Sequence, residues 1–404
     1  MTRALLMLWM GLIGAERLDL DGASSGVTVT PFLVLTPVLV VCLLVDRSRR
    51  EYSIYIGRAA MTFLLLTTVF LVCVGASTFG SLDERTTLMR AVLAFAQVGG
   101  TAVVALLVHD EPGAIEALRA GAMLGVWLFL LMNVMAVCSF LGILPQELFL
   151  GPAVLRLDSY GYAGIVPRLS GTTIDPNAGG LLLVIFALLA PRVRLLAGAM
   201  LLLTLSRSAI IAGAIVALMV AWDHGVGALR VSARVLIFGA LLAATLLVAV
   251  GRSPQTMEGV TRTLAPFAER IGIGDGGGSA SEHGSLVVRA AGEGSRSLQR
   301  AAFGLGWGAS YMVLQEFFPG NRYGNFHSLY GTAFAEIGVM GLIVVLLLLA
   351  GPLLRATPWR PLIAGFIVFN IFYQATTVPA FWLLVALAWM TVQTAPHQQR
   401  EVRA

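Results

Sequence analysis

The sequence predicts an all-α fold: a polytopic membrane bundle of about twelve transmembrane helices, with one partly helical segment on its outer face. Three observations predict it. The chain is 57% hydrophobic and only 12% charged, with a mean hydropathy of +0.85, whereas a soluble domain carries about a quarter charged residues. Its apolar residues fall into successive runs, at 4–14, 31–45, 57–76, 87–108, 119–142, 177–190, 194–205, 208–222, 232–250, 327–350, 360–376 and 379–394. Several are shorter than the ~20 residues that a perpendicular span needs. Arginines punctuate the short connections between runs, which is the pattern that orients membrane helices.

Arg3 followed by Ala4 to Gly14 has the length of a signal-peptide core, but no small-x-small cleavage pattern follows, so the stretch reads as a short first helix. Arg47, Arg49, Arg50 and Arg58, then Arg119, Arg192, Arg194, Arg230, Arg234, Arg355 and Arg360, and finally Arg400 and Arg403, all fall on one face when the helices alternate. That face is cytoplasmic, and both termini lie on it. The two long connections, 143–175 and 251–326, then share the outer face. The chain divides accordingly into 1–250, which holds nine helices and the outer loop 143–175, a lid at 251–326, and a last helical part at 327–404.

The stretch 194–222 is apolar except for Ser206-Arg207-Ser208. As one helix it would be about 44 Å long at 1.5 Å per residue, too long for a hydrocarbon core of roughly 30 Å. Two short helices meeting near Arg207 avoid this and leave that arginine close to the outer surface. There it either snorkels to headgroups or serves a polar site. Upstream runs Arg168-Leu-Ser-Gly171-Thr-Thr-Ile-Asp175-Pro176-Asn177-Ala-Gly179-Gly180. Asp175 before Pro176 is a helix-start signal, so its first role is to cap. Arg168 has no packing reason to be basic.

In the outer segment, Pro254 to Ile271 has the amphipathic spacing of a helix lying on a membrane surface. Gly272 to Gly284 reads as a Gly/Ser-rich loop. Ser285 to Ala302 carries Arg289, Arg296 and Arg300 in a broken helical pattern, and Gly304-Leu-Gly306-Trp307-Gly308 reads as a turn returning the chain toward His327. No βαβ unit surrounds those glycines, so they are not a nucleotide fingerprint. His327 stands at the mouth of the run that follows. Gly331, Phe334 and Gly338 share its helical face, where small residues let a neighbouring helix approach. Glu336 falls on the opposite face and is poorly placed to orient the imidazole.

Cys42, Cys73 and Cys138 lie inside apolar runs without ligand spacing and read as small buried hydrophobes. The outer acids Asp158, Asp175, Asp275, Glu282, Glu293 and Glu316 are scattered, so no divalent metal site and no cofactor is expected. The net charge of +5, without a soluble basic patch, excludes nucleic acid as a partner. What the outer face does collect is Arg168, Arg207 and Arg289 with His327, from four separate elements. Guanidiniums grip phosphates bidentately at any physiological pH, and a neutral rim histidine suits proton abstraction from a hydroxyl. His283 competes for that role but lies in the expected loop; His109, His224 and His397 fall on the cytoplasmic side.

The ordered set RLSGTTIDPNAGG, TLSRSAIIAG, an outer-loop arginine before GLGWG, and FHSLYGTAFAEIG resembles the O-antigen ligase and O-antigen polymerase superfamily, over roughly residues 160–350. Such enzymes are GT-C-type glycosyltransferases of the bacterial inner membrane whose sites face the periplasm. The resemblance implies that Arg168, Arg207 and Arg289 bind the diphosphate of an undecaprenyl-diphosphate-linked glycan and that His327 is the catalytic base. Asp175, Asn177 and Ser206 support them, and Arg296 rivals Arg289 for the loop position. It further implies a metal-independent inverting transfer onto lipid A-core by a ligase, or onto another lipid-linked glycan by an O-antigen, capsule or exopolysaccharide polymerase. Members often carry His-Asn where Ser328 follows His327, a departure that bears on the acceptor. A transporter of the same lipid-linked sugar would need an inverted internal repeat, and the sequence has none.

Overall fold

A computed structural model of the chain describes residues 2–22, 28–49, 56–158, 161–162, 166–224, 278–315, 324–355 and 357–391. Among them the chain is mostly helical. Five helices are long and apolar enough to cross a membrane: Pro31–Arg49, Arg58–Gly80, Glu84–Val108, Ala114–Phe140 and Leu329–Leu353. A sixth span results if the bent pair Pro176–Leu189 and Pro191–Leu203 counts as one. The expected helix at 232–250 and the amphipathic stretch Pro254 to Ile271 lie outside the described residues. The chain divides into two compact units, Met1–Leu39 with Ile115–Val288, and Val40–Ala114 with Arg289–Ala404.

In the first unit α1 (Thr2–Gly11) packs on α6 (Ala114–Phe140) at glycines. A Cβ on Gly121 would stand 2.5 Å from the Met7 carbonyl oxygen, so only glycine allows this approach. Trp9, fully buried, donates its indole N–H to Thr36 Oγ1 at 2.9 Å, near the start of α2 (Pro31–Arg49). The expected all-helical fold needs one correction in 143–175. Here β2 (Glu147–Leu150) and β3 (Ala153–Arg156) form a hairpin, and β3 also pairs with β1 (Leu18–Asp19), giving the order β1-β3-β2. A second small pair joins β4 (Gly161–Tyr162) to β5 (Val166–Pro167). β3 pairs over its whole length with the adjacent β2, and residues more than a hundred positions earlier add the third strand; no local periodicity marks that distant partner.

After this sheet come α7 (Pro176–Leu189), α8 (Arg194–Leu203) and α9 (Arg207–His224). The chain bends by 119° between α7 and the segment Pro191–Leu203, and α8 ends where α7 began. The break expected near Arg207 is present, at 204–206.

The second unit contains α3 (Arg58–Ala76), α4 (Glu84–Ala94) and α5 (Gly100–Val108), the last two joined by a π-helical turn at Phe95–Gly99. Then follow α10 (Gly278–Gly294), which enters this unit from Arg289 onward, α11 (Leu298–Phe303), α12 (Leu329–Leu353), α13 (Arg360–Phe372) and α14 (Pro379–Met390). Phe70 packs edge-on against Trp307 and at a tilt against Trp382, with ring centroids 5.8 and 5.1 Å away. The described part of the expected loop Gly272–Gly284 is helical, forming the first turns of α10. The three cysteines are unpaired and half-buried rather than buried, a correction with a simple origin: an apolar run in a membrane helix also has a lipid-facing side.

Candidate functional site

In the first unit the residues singled out by sequence gather where α7 and α9 start. Asp175 caps α7, accepting the Asn177 N–H at 2.6 Å, with Pro176 in the first helical position. Ser206 does the same for α9: its hydroxyl accepts the Ala209 N–H at 3.3 Å and donates to Asn177 Oδ1 at 2.8 Å. That hydrogen bond ties the two helix starts together. Gly180 permits the closeness, since a Cβ there would stand 2.5 Å from Ala209 Cβ. Arg168, half-buried, donates through Nε to the Thr204 carbonyl at 3.3 Å. Arg207 is exposed and occupies the first position of α9. A cation there opposes the helix dipole by about 0.3–1 kcal/mol.

Two neighbouring residues were missed. Arg17 is 2% exposed and donates to the Thr173 carbonyl (2.9 Å), the Arg156 carbonyl (3.0 Å), the Asp158 carbonyl (2.5 Å) and Ser170 Oγ (2.6 Å). It holds the segment that presents Arg168. Glu16 accepts the Ile174 N–H at 3.2 Å. Burial pushes its carboxyl up to about 7, Asp175 adds to the rise, and the Ile174 N–H and Arg17 oppose it. The signal for both was a Glu-Arg pair closing an apolar run that is too short to span.

In the second unit His327 precedes α12. Its φ is +51°, a left-handed conformation that costs a side-chain-bearing residue about 1–2 kcal/mol. Asn325 Oδ1 accepts its backbone N–H at 2.8 Å, and Ser328 caps the helix, accepting from Gly331 N–H at 3.4 Å. The Leu329 N–H donates to the Tyr373 carbonyl at 3.1 Å, which docks the turn beyond the end of α13. The imidazole is half-buried. Its helical face is covered as the small residues suggested: a Cβ on Gly331 would lie 3.2 Å from Ala290 Cβ, and one on Gly294 would meet the Phe334 ring at 2.6 Å.

At Gly338 the helix breaks, with φ +74°. The turn 304–310 fills the break: Leu305 N–H donates to the Ala335 carbonyl at 2.8 Å, and Gly306 N–H to the Glu336 carbonyl at 3.2 Å. The Glu336 side chain, 2% exposed, accepts the N–H groups of Gly308 (2.7 Å) and Ser310 (3.2 Å) and the Ser310 hydroxyl. The glycine turn therefore does not return to His327. It locks on Glu336, nine residues further along and about 13 Å deeper at 1.5 Å per residue. Arg90 lies against the same turn, leaving no room for a Cβ at Gly308.

Arg289 and its rival Arg296 share one partner. Both approach Glu293 Oε1 at 3.5 Å, while Arg300, on α11, pairs with Oε2. Among the described residues no group of three His, Cys, Asp or Glu side chains is placed to hold a metal ion. The sites therefore form by unit: Arg168, Asp175, Asn177, Ser206 and Arg207 in the first, Arg289 and His327 in the second. No protein-family model matches the chain, and no curated protein matches it.

Proposed function

We propose that this chain is an O-antigen ligase-type glycosyltransferase, which moves a polysaccharide from undecaprenyl diphosphate to a sugar hydroxyl of lipid A-core. In this reading about twelve helices span the bacterial inner membrane, both termini are cytoplasmic, and 143–175 and 251–326 face the periplasm. The observation that carries it is the end of the first unit, where Arg168 and Arg207 meet two adjoining helix starts tied by Ser206 and Asn177. Guanidiniums and helix N-termini both attract phosphate.

The donor diphosphate is held by Arg168 and Arg207, with Arg289 as a third cation. His327 takes the proton of the acceptor hydroxyl, whose oxygen attacks the anomeric carbon opposite the diphosphate. The carbon–oxygen bond to the diphosphate breaks, its electron pair leaves with undecaprenyl diphosphate, and the configuration inverts. Charge building on the departing diphosphate is met by preorganised guanidiniums, the largest catalytic contribution in such a site. The strained turn at His327 supports this role, since a backbone held off its preferred region is found where position matters more than stability.

The test is transfer by purified protein in nanodiscs, with lipid A-core and a second lipid-linked glycan supplied in turn as acceptors. A product on lipid A-core identifies the ligase, and one on the second glycan the polymerase. His327→Ala lowers turnover by about 10²–10⁴-fold. Near wild-type turnover of that variant at neutral pH removes the histidine from the chemistry, and the absence of any glycosidic product removes the enzyme.

A further inference from the structure

The second unit contains a charge cluster that is larger than its proposed task requires. Glu293 is 4% exposed, and three arginines converge on it: Arg289 one turn before, Arg296 just past the end of α10, and Arg300 on α11. Three guanidiniums facing one carboxylate leave the cluster cationic. The three partners are not equivalent. Arg300, with 19% of its side chain exposed, closes on Oε2 in a hydrogen bond and is the packed one. Arg289 and Arg296, with side chains 40% and 66% exposed, both sit 3.5 Å from Oε1, beyond the 2.7–3.2 Å of an N–H···O bond. Arg289 Nε is buried and makes no hydrogen bond, a state that ordinarily costs stability.

We propose that Glu293 is a positioning residue that sets Arg289 and Arg296 side by side as one clamp for the oxyanions of a phosphate ester, with Arg300 holding the carboxylate in place. That the ester is the donor diphosphate rests on the function proposed above. The clamp itself rests on the cluster. A single carboxylate oxygen cannot satisfy two guanidiniums at 3.5 Å; a group with several oxygens, bound across both, satisfies their outward N–H donors while Glu293 keeps them from swinging apart. The lid therefore reads its anion with a pair, and the choice between Arg289 and Arg296 is not exclusive.

The experiment measures binding first. Inorganic pyrophosphate is titrated calorimetrically into the full chain in phosphatidylcholine nanodiscs, and again in discs containing phosphatidylglycerol. Wild type binds, and Arg296→Gln, at an exposed position that does not disturb folding, weakens binding about tenfold, as does Glu293→Gln; Glu293→Asp restores part of the loss. Loss of wild-type binding only in the phosphatidylglycerol discs identifies a lipid headgroup as the anion that takes the clamp. If wild type binds and Arg296→Gln and Glu293→Gln bind equally well, or if wild type does not bind, the clamp is wrong. In a transfer assay Glu293→Gln raises KM for the donor and leaves the acceptor KM in place. A variant that only melts earlier, with donor KM unchanged, makes Glu293 structural and overturns the proposal. Because pyrophosphate binding needs no transfer, a clamp that binds in a chain that does not transfer leaves this inference standing while the enzyme reading fails.

Discussion

Each unit is organised around a buried charge, and the two charges have opposite sign. In the first, Arg17 donates to carbonyls and a hydroxyl contributed by the sheet and the 170–173 turn. In the second, Glu336 accepts from a glycine turn wedged into a broken helix. Both fasten an irregular segment to helices that carry candidate site residues. The difference lies in what the partners do without them. Of the partners of Arg17, Asp158, its side chain 61% exposed, turns to water while Ser170 and Thr173 stay buried; the Gly308 and Ser310 N–H groups both lie buried beneath a turn and have nowhere to turn. The buried charges in this molecule are scaffolding, and the candidate chemistry sits at the half-exposed rims they support.

That asymmetry sets an order of effects. Glu336→Ala strands two backbone donors and is expected to destabilise the chain most, by about 2–6 kcal/mol at about 1–3 for each donor, read as a drop in melting temperature in detergent. Equal stability with wild type would show that water replaces the carboxylate. Arg17→Met costs less, about 1–3 kcal/mol, and frees the segment before α7, so a cysteine placed at Thr172, which is 6% exposed in the folded chain, becomes reactive toward a thiol reagent. Ser206→Ala removes a cap and the bridge to Asn177 for about 1 kcal/mol and weakens donor binding. Ser328→Ala, which removes a cap together with a hydrogen bond to the Asn370 carbonyl, is its counterpart in the second unit.

A further effect is in pH. The Glu16 carboxyl is raised from 4.5 to about 7, so the folded chain holds a proton that the unfolded chain has released. Its contribution to stability is complete below about 4.5 and is lost as pH rises through about 7. Asp83 runs the other way: hydrogen bonds from Thr86 and Tyr311 hold it down at about 2, so its contribution fades only as pH falls through that value. Glu16→Gln should flatten the decline in melting temperature between pH 5 and 8. An unchanged slope would assign the decline to another group.

The helices were legible because apolar runs and arginine punctuation are local signals: α3 and α12 begin within two residues of the expected 57 and 327, and Asp175-Pro176 marked the start of α7. The break at Ser206 followed from length alone. The sheet was not read: its hairpin strands are only four residues long, and the third strand comes from the distant Leu18 and Asp19. Glu336 was placed away from His327, but its partner turn comes from outside the helix, beyond any helical-face argument. Gly338 was read as a site of close approach, which it is; the break it makes was hidden because the run stays apolar across it. The grouping of Arg296 and Arg300 with Arg289 on Glu293 spans two helices and a turn, so sequence spacing alone left the two candidates as rivals.

The break at Gly338 has an evolutionary consequence. Carbonyls that an uninterrupted helix would spend on itself are occupied by Leu305 and Gly306, so the turn completes the helix as much as the helix supports the turn. A hybrid that grafts a foreign lid ending at residue 326 onto this chain would leave those acceptors unfilled. Recombination that works should exchange the lid and α12 together, and related chains with altered specificity should inherit them as one block.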